Sequence, residues 1–136
     1  MSHVIRQINF LNAISYSTKK PQILLNATKY SGLRLTFQVQ NHNGHMGARK
    51  FWHEYLPTLK FYNPNLKFDV IRISNPDKRK RDIPCTLEIL GKEDQVLGSI
   101  DMRNKQYDEI MDQLSESIDH TTVPEQDLVK VQYKAT

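Results

Sequence analysis

The hydrophobic period changes twice between residues 33 and 73, from two to helical and back to two. That order restricts the chain to an α/β fold. In Leu33-Arg34-Leu35-Thr36-Phe37-Gln38-Val39 apolar and polar residues alternate without exception. A period of two buries one face of a strand and leaves the other wet. Asn41-His42-Asn43-Gly44 follows with turn chemistry. From about His45 to Gly47 the spacing predicts a helix, because Phe51, Trp52, Tyr55, Leu56 and Leu59 form a broad apolar stripe. Pro57 lacks an amide hydrogen and must kink or restart that helix. Asn63-Pro64-Asn65 ends it. Leu66, Phe68 and Val70 then alternate again and run into Ile71 and Ile73, and apolar residues on both faces predict an inner or parallel strand.

The remaining elements complete a domain. Asn75 to Asp82 is a loop carrying the run Lys78-Arg79-Lys80-Arg81. Pro84 opens a third strand, Cys85 to Leu90, and Gly91-Lys92-Glu93-Asp94 is a hairpin turn into a fourth strand from about Gln95 to Met102. Tyr107, Ile110, Met111, Leu114 and Ile118 keep helical spacing and predict a helix from about Asn104 to Asp119. A strand–helix–strand unit is right-handed and parallel. The hairpin and closing helix extend it to βαβββα, a mixed four-stranded sheet with helices packed on it, in a thioredoxin-like arrangement. The expected organisation is a basic N-terminal arm (1–32), a thioredoxin-like domain (33–119) and a C-terminal tail (120–136). In the arm, Val4, Ile5, Ile8 and Leu11 share a helical face, and residues 17–32 read as a polar connector. The tail holds one short alternating piece, Val129 to Tyr133. Arm and tail bury little alone, so partners are expected to order them.

Composition excludes several classes. No apolar run approaches the roughly 18–20 residues of a membrane-spanning helix, so no membrane insertion is expected. The single cysteine, Cys85, supplies neither a disulfide framework nor a Cys-x-x-Cys pair. The formal net charge of +4 conceals a division: residues 1–81 hold 14 Lys/Arg against Glu54, Asp69 and Asp77, whereas residues 82–136 hold five against 12 acids. The first 53 residues contain no acid. One side facing a polyanion and another facing water or a basic partner accounts for such asymmetry. The acid-free amphipathic start is also compatible with an organellar presequence.

In a thioredoxin-like fold, chemistry sits where the first strand passes into the first helix. Here that stretch is Asn43-Gly44-His45-Met46-Gly47-Ala48-Arg49, and it carries no cysteine for redox work. Its glycines allow close backbone approach and a helix start offers free amides, so with Arg49 and Lys50 it forms a candidate phosphate seat. The alternative is that the glycines only shape the turn. His3, His42, His45, His53 and His120 show no spacing that closes a zinc site. No nucleophile stands beside a base, so neither catalysis, a metal, a cofactor nor a small-molecule substrate is expected. Trp52, Phe51 and Tyr55 read as core, and Cys85 as an inert, partly buried strand residue. The Lys78–Arg81 run reads as a phosphate-gripping loop or a nuclear import signal. Four adjacent cations repel one another unless an anion screens them.

The stretch Asn43 to Trp52, the segment Leu56 to Pro64 and the extended Phe68 to Ile73 resemble a known family. It is the small thioredoxin-like domain shared by mitochondrial ribosomal proteins and one accessory subunit of respiratory complex I. Gly47-Ala48-Arg49 and Asn63-Pro64 carry most of the likeness, which spans roughly residues 33–119. Within the family the chain looks most like a fungal protein of the mitochondrial large ribosomal subunit.

The resemblance implies a structural constituent of the mitochondrial ribosome in the matrix, with ribosomal RNA and neighbouring ribosomal proteins as partners and a role in translation. With RNA as partner the basic first half would lie on it, and the contact candidates there are Lys19, Lys20, Lys29, Arg34, Arg49, Lys50, Lys60, Lys78, Arg79, Lys80 and Arg81. Without an exposed aromatic signature, they should bind backbone and shape and not read sequence. The other implied role is a complex I accessory subunit with protein partners only.

Overall fold

Leu33, Leu35 and Phe37, the apolar set of the alternating segment, are wholly buried. They anchor the centre of a computed structural model that describes residues 2–132. An N-terminal helix, α1 (Ser2–Asn12), runs into a π-helical turn (Ala13–Ser17). A short strand, β1 (Ile23–Leu25), precedes the alternating strand β2 (Gly32–Gln38). Two helices follow, α2 (Met46–Glu54) and α3 (Leu56–Tyr62), with Pro57 in the first turn of α3. Proline is tolerated there because the first amides of a helix have no intrahelical acceptor. The restart expected at Pro57 is what the backbone does.

Next come β3 (Lys67–Ile73), β4 (Thr86–Leu90), β5 (Val96–Asp101), the acidic helix α4 (Tyr107–Ser117) and β6 (His120–Thr122). α4 is shorter than its periodicity predicts. Asn104 has a left-handed backbone (φ 61°), which cannot continue into a helix, and Ile118 is already extended.

The main sheet has the order β3-β2-β4-β5. β2 and β3 are parallel, and the other neighbours are antiparallel. β3 is therefore parallel, as expected, but it is an edge strand and not an inner one. Its apolar residues on both faces reflect a half-buried flank, and none of its seven residues is fully buried. The inner face of the sheet forms one apolar cluster with Ala48 and Phe51 of α2, Leu59 of α3 and Ile110 and Leu114 of α4. The opposite face is polar and half-exposed. There Arg34 meets Glu88 across the register at 3.7 Å, a pair that contributes a few tenths of a kcal/mol to about 1 kcal/mol.

β1 and β6 form a separate two-stranded antiparallel ladder that joins the arm to the segment after α4. Neither strand carries a readable period, since each has three residues. The side chain of Asn63 at the end of α3 seats the ladder: it accepts from the Leu25 amide (2.8 Å) and donates to the carbonyls of Ile23 (2.9 Å) and Leu59 (2.8 Å). Ile23, Leu25, Tyr30 and Ile118 belong to the main apolar cluster. The connector 17–32 thus contains a strand and core residues. Residues 129–132 of the expected tail strand form no strand, and Tyr133 lies outside the described residues. Instead Asn12 brackets Val131, accepting from its amide (2.7 Å) and donating to its carbonyl (2.9 Å).

Candidate nucleic-acid interface

Topology decides which charges meet. With β2 and β3 parallel, β4 reversed against β2 and β5 reversed again against β4, residues 39–45, 74–85 and 102–106 all emerge at one end of the sheet. Their backbones are tied together there. The Asn75 side-chain amide donates to the Lys80 carbonyl (2.8 Å), and the Asn43 amide donates to the same oxygen (3.1 Å). The Asn75 backbone amide donates to Gln40 Oε1 (2.7 Å). Arg103 donates through one nitrogen to the Arg81 carbonyl (2.6 Å) and through the other to the Ile83 carbonyl. Residues 75–83 are thus a pinned loop, and every side chain from Lys78 to Arg81 is exposed.

This end gathers Arg49, Lys50, Lys78, Arg79, Lys80, Arg81, Arg103 and Lys105 against Asp77, Asp82 and Asp101. Arg79 lies 3.4 Å from Asp77, but it is almost fully exposed, and such a pair adds little. Arg49 donates to Asn41 (3.2 Å) and Lys105 to Gln113 (2.8 Å). Lys50, Lys78, Lys80 and Arg81 have no acid within ion-pair distance among the described residues. The site is a fixed array of cations, and repulsion within it is relieved when an anion arrives.

The other sequence candidates lie elsewhere. Lys20 is bound to Asp112 (3.1 Å) and Asp108 (3.7 Å) of α4, and the hydrogen bond it donates to Asp112 leads the causes that raise its pKa. Part of the acidic helix is therefore neutralised by the chain itself. Lys19 sits over the Tyr16 ring at 4.0 Å, and Lys29 over Tyr30 at 5.5 Å. Arg34 is engaged with Glu88 on the polar sheet face, and Lys60 is exposed on α3. Sequence reasoning missed Arg103 and Lys105. The signal was available, because a strand antiparallel to β4 must end beside the start of α2.

The glycine turn differs from an open phosphate seat. Gly44 has φ +82°, and a Cβ on Gly47 would lie 1.7 Å from the Lys105 carbonyl oxygen. The close approach these glycines allow is made by the chain's own residues 104–105. The Asn104 amide donates to the Gly44 carbonyl (3.0 Å). What remains open is a depression of about 220 Å³ walled by Lys50 and Lys105.

Behind this end lies a buried polar group. His45 is 1% exposed, and its Nδ1 accepts the Gln38 amide (3.1 Å). Burial, reinforced by the Arg103 charge, lowers its pKa to about 4 and leaves it neutral near pH 7. Cys85 is buried, and burial pushes its thiol up to about 12. Among the described residues no group of three or more His, Cys, Asp or Glu side chains is placed to hold a metal ion. No described helix is long and apolar enough to cross a membrane.

A small α/β domain with a cationic strand end is the class defined here. In keeping with it, residues 48–107 match the family described as Mitochondrial ribosomal protein L51 / S25 / CI-B8 domain. The chain is similar to Large ribosomal subunit protein mL61 of Saccharomyces cerevisiae, with 60% identity over 131 residues, covering 96% of this chain and 95% of that one. It is 34% identical over 95 residues to the mL61 protein of Schizosaccharomyces pombe, covering 67% and 65% of the two chains. In Neurospora crassa the mL61 protein is 32% identical over 75 residues, covering 55% of this chain and 37% of that longer one. The chain belongs to the mL61 family.

Proposed function

We propose that this chain is a structural constituent of the mitochondrial large ribosomal subunit, in the matrix, and that its cationic end holds ribosomal RNA phosphates. The observation that carries the RNA contact is the pinned loop: the side chains of Asn43, Asn75 and Arg103 donate to its backbone carbonyls and hold four adjacent cations outward. Ordering a loop before binding removes an entropic cost from the complex. Arg49, Lys50 and Lys105 extend the array toward the start of α2. Phosphate oxygens are the ligands, and neighbouring ribosomal proteins meet the remaining surface. Residues 33–119 are read as a thioredoxin-like unit with the arm and tail laid around it. The unit carries no catalysis, and no small-molecule substrate is assigned. The complex I role is not favoured, because likeness to the yeast protein runs through nearly the whole chain.

The test is binding to mitochondrial large-subunit ribosomal RNA across a potassium chloride titration, with Lys78 to Arg81 replaced by serine. If all four cations meet phosphates, the slope of log affinity against log salt falls by about 3 to 4. An unchanged slope overturns the RNA contact.

A further inference from the structure

The β3 edge of the main sheet is unpaired among the described residues, and it borders an apolar groove. The Lys67 amide donates to Ser31 and the Ile73 carbonyl accepts from Val39, so these two residues face β2. Alternation in a parallel ladder then turns the amides and carbonyls of Phe68, Val70 and Arg72 outward, away from the sheet. The same residues point their side chains to the helix side, opposite Leu33, Leu35 and Phe37. Phe68 and Val70 form one wall of a groove of about 430 Å³, and Ile14, Trp52, Pro57 and Phe61 complete it. Phe61 is 43% exposed there. A second hollow of about 390 Å³ shares Ile14, Trp52 and Pro57 and continues the groove toward α1.

We infer that β3 is a docking edge for an extended segment of a neighbouring protein, which adds to the sheet as a fifth strand. Strand addition uses the free edge amides and carbonyls for affinity, and pockets beside the edge select alternate side chains. Both parts are present on one side of one strand. β3 is regular over seven residues, whereas the opposite edge strand, β5, has a register break opposite Ile89/Leu90 and a glycine. Irregular or interrupted edges resist pairing, and regular ones invite it. The chemistry of the groove also selects the occupant. Among the described residues the charged side chain lining the 430 Å³ groove is Lys60, Glu54 borders the second hollow, and Arg72 lies over the Trp52 ring at 4.9 Å just beyond. An RNA backbone would find one ammonium and a wall of apolar carbon. A segment with alternating apolar side chains and a carboxylate near Lys60 satisfies the whole surface.

This inference rests on the ribosomal reading, and the experiment separates the two. A photo-cross-linking amino acid is placed at Phe61 of the full chain, and the large subunit is isolated before irradiation. Failure of the chain to sediment with that subunit overturns the ribosomal reading and this inference with it. In subunits that contain the chain, the expected product is a cross-link to an extended protein segment with alternating apolar residues and a nearby acid. Val70→Pro removes an outward amide without touching the bonds to β2, so it should lower cross-link yield about three- to tenfold, the effect of one hydrogen bond. The purified variant should keep the unfolding temperature of the parent within a few degrees. Should Val70→Pro not fold, Lys60→Glu is the second variant, and it should lower the yield by a similar factor. Cross-links to nucleotides, to the chain's own residues 133–136 or to a helix, or no cross-link at all, overturn the docking edge.

Discussion

Replacing Gly47 with alanine sets two known effects against each other. Gly47 is the second residue of α2, and alanine there improves helix propensity by up to about 1 kcal/mol. The new Cβ, however, would stand 1.7 Å from the Lys105 carbonyl oxygen and 2.9 Å from its carbon. Ordinary contact requires the two backbones to separate by about 1.5 Å. The opposing turn is held by the Asn104 amide on the Gly44 carbonyl and by the Arg103 bonds to Arg81 and Ile83, so separation breaks polar contacts as well. Overpacking of this kind costs about 1–3 kcal/mol, and a clash between two backbones belongs near the top of that range. The expected net loss is roughly 2 kcal/mol, or about 1 M in the urea midpoint for a domain of this size. Gly98→Ala is the control, since its Cβ would meet only Ile89 Cδ1 at 3.6 Å, and the midpoint should stay close to the parent. A Gly47→Ala protein as stable as the parent, or more so, would refute the close approach between the start of α2 and the turn after β5.

Three further outcomes follow from buried groups. Asn63→Ala removes three bonds around β1 and leaves buried backbone groups unpaired, so it should cost about 2–4 kcal/mol and speed amide exchange at Ile23 to Leu25. Unchanged exchange there would refute the anchoring role. His45 has a folded pKa of about 4, below its ordinary value of 6.5, so the unfolded chain takes up the proton first. Its contribution is complete above pH 6.5 and is lost as pH falls from there through about 4, on the order of 3 kcal/mol. A His45→Gln protein should show a shallower acid decline in urea midpoint, and a parallel decline would refute the assignment. Cys85, with its thiol pushed up to about 12, should react slowly with a disulfide reagent at pH 8 in the folded chain, and fast labelling would contradict its burial.

The parts of the fold legible in the sequence are those whose burial repeats with a period. Leu33, Leu35 and Phe37 announce β2, and Ile110, Met111 and Leu114 announce α4, because each buries one face along its length. Strands of three residues, as in the β1–β6 ladder, are too short to show a period, and tertiary packing on Asn63 selects them. The cationic loop was legible as a run, but its company was not. Arg103 and Lys105 join it only through the direction of β5, while Lys20 and Arg34 stand apart from it, each beside an acid far along the chain. A charge count along a sequence cannot see either effect. Gly44 and Gly47 were legible as places of close approach, and which backbone approaches is a matter of topology.

The ladder that pairs Ile23 with Thr122 also constrains the order of events during maturation. A polypeptide emerging amino end first cannot close this clasp until residues 120–122 are free. Until then β1 has its Asn63 seat on α3 but lacks its partner strand. The arrival of residues 120–122 is therefore the step that closes the clasp, a contact of long sequence separation that forms late.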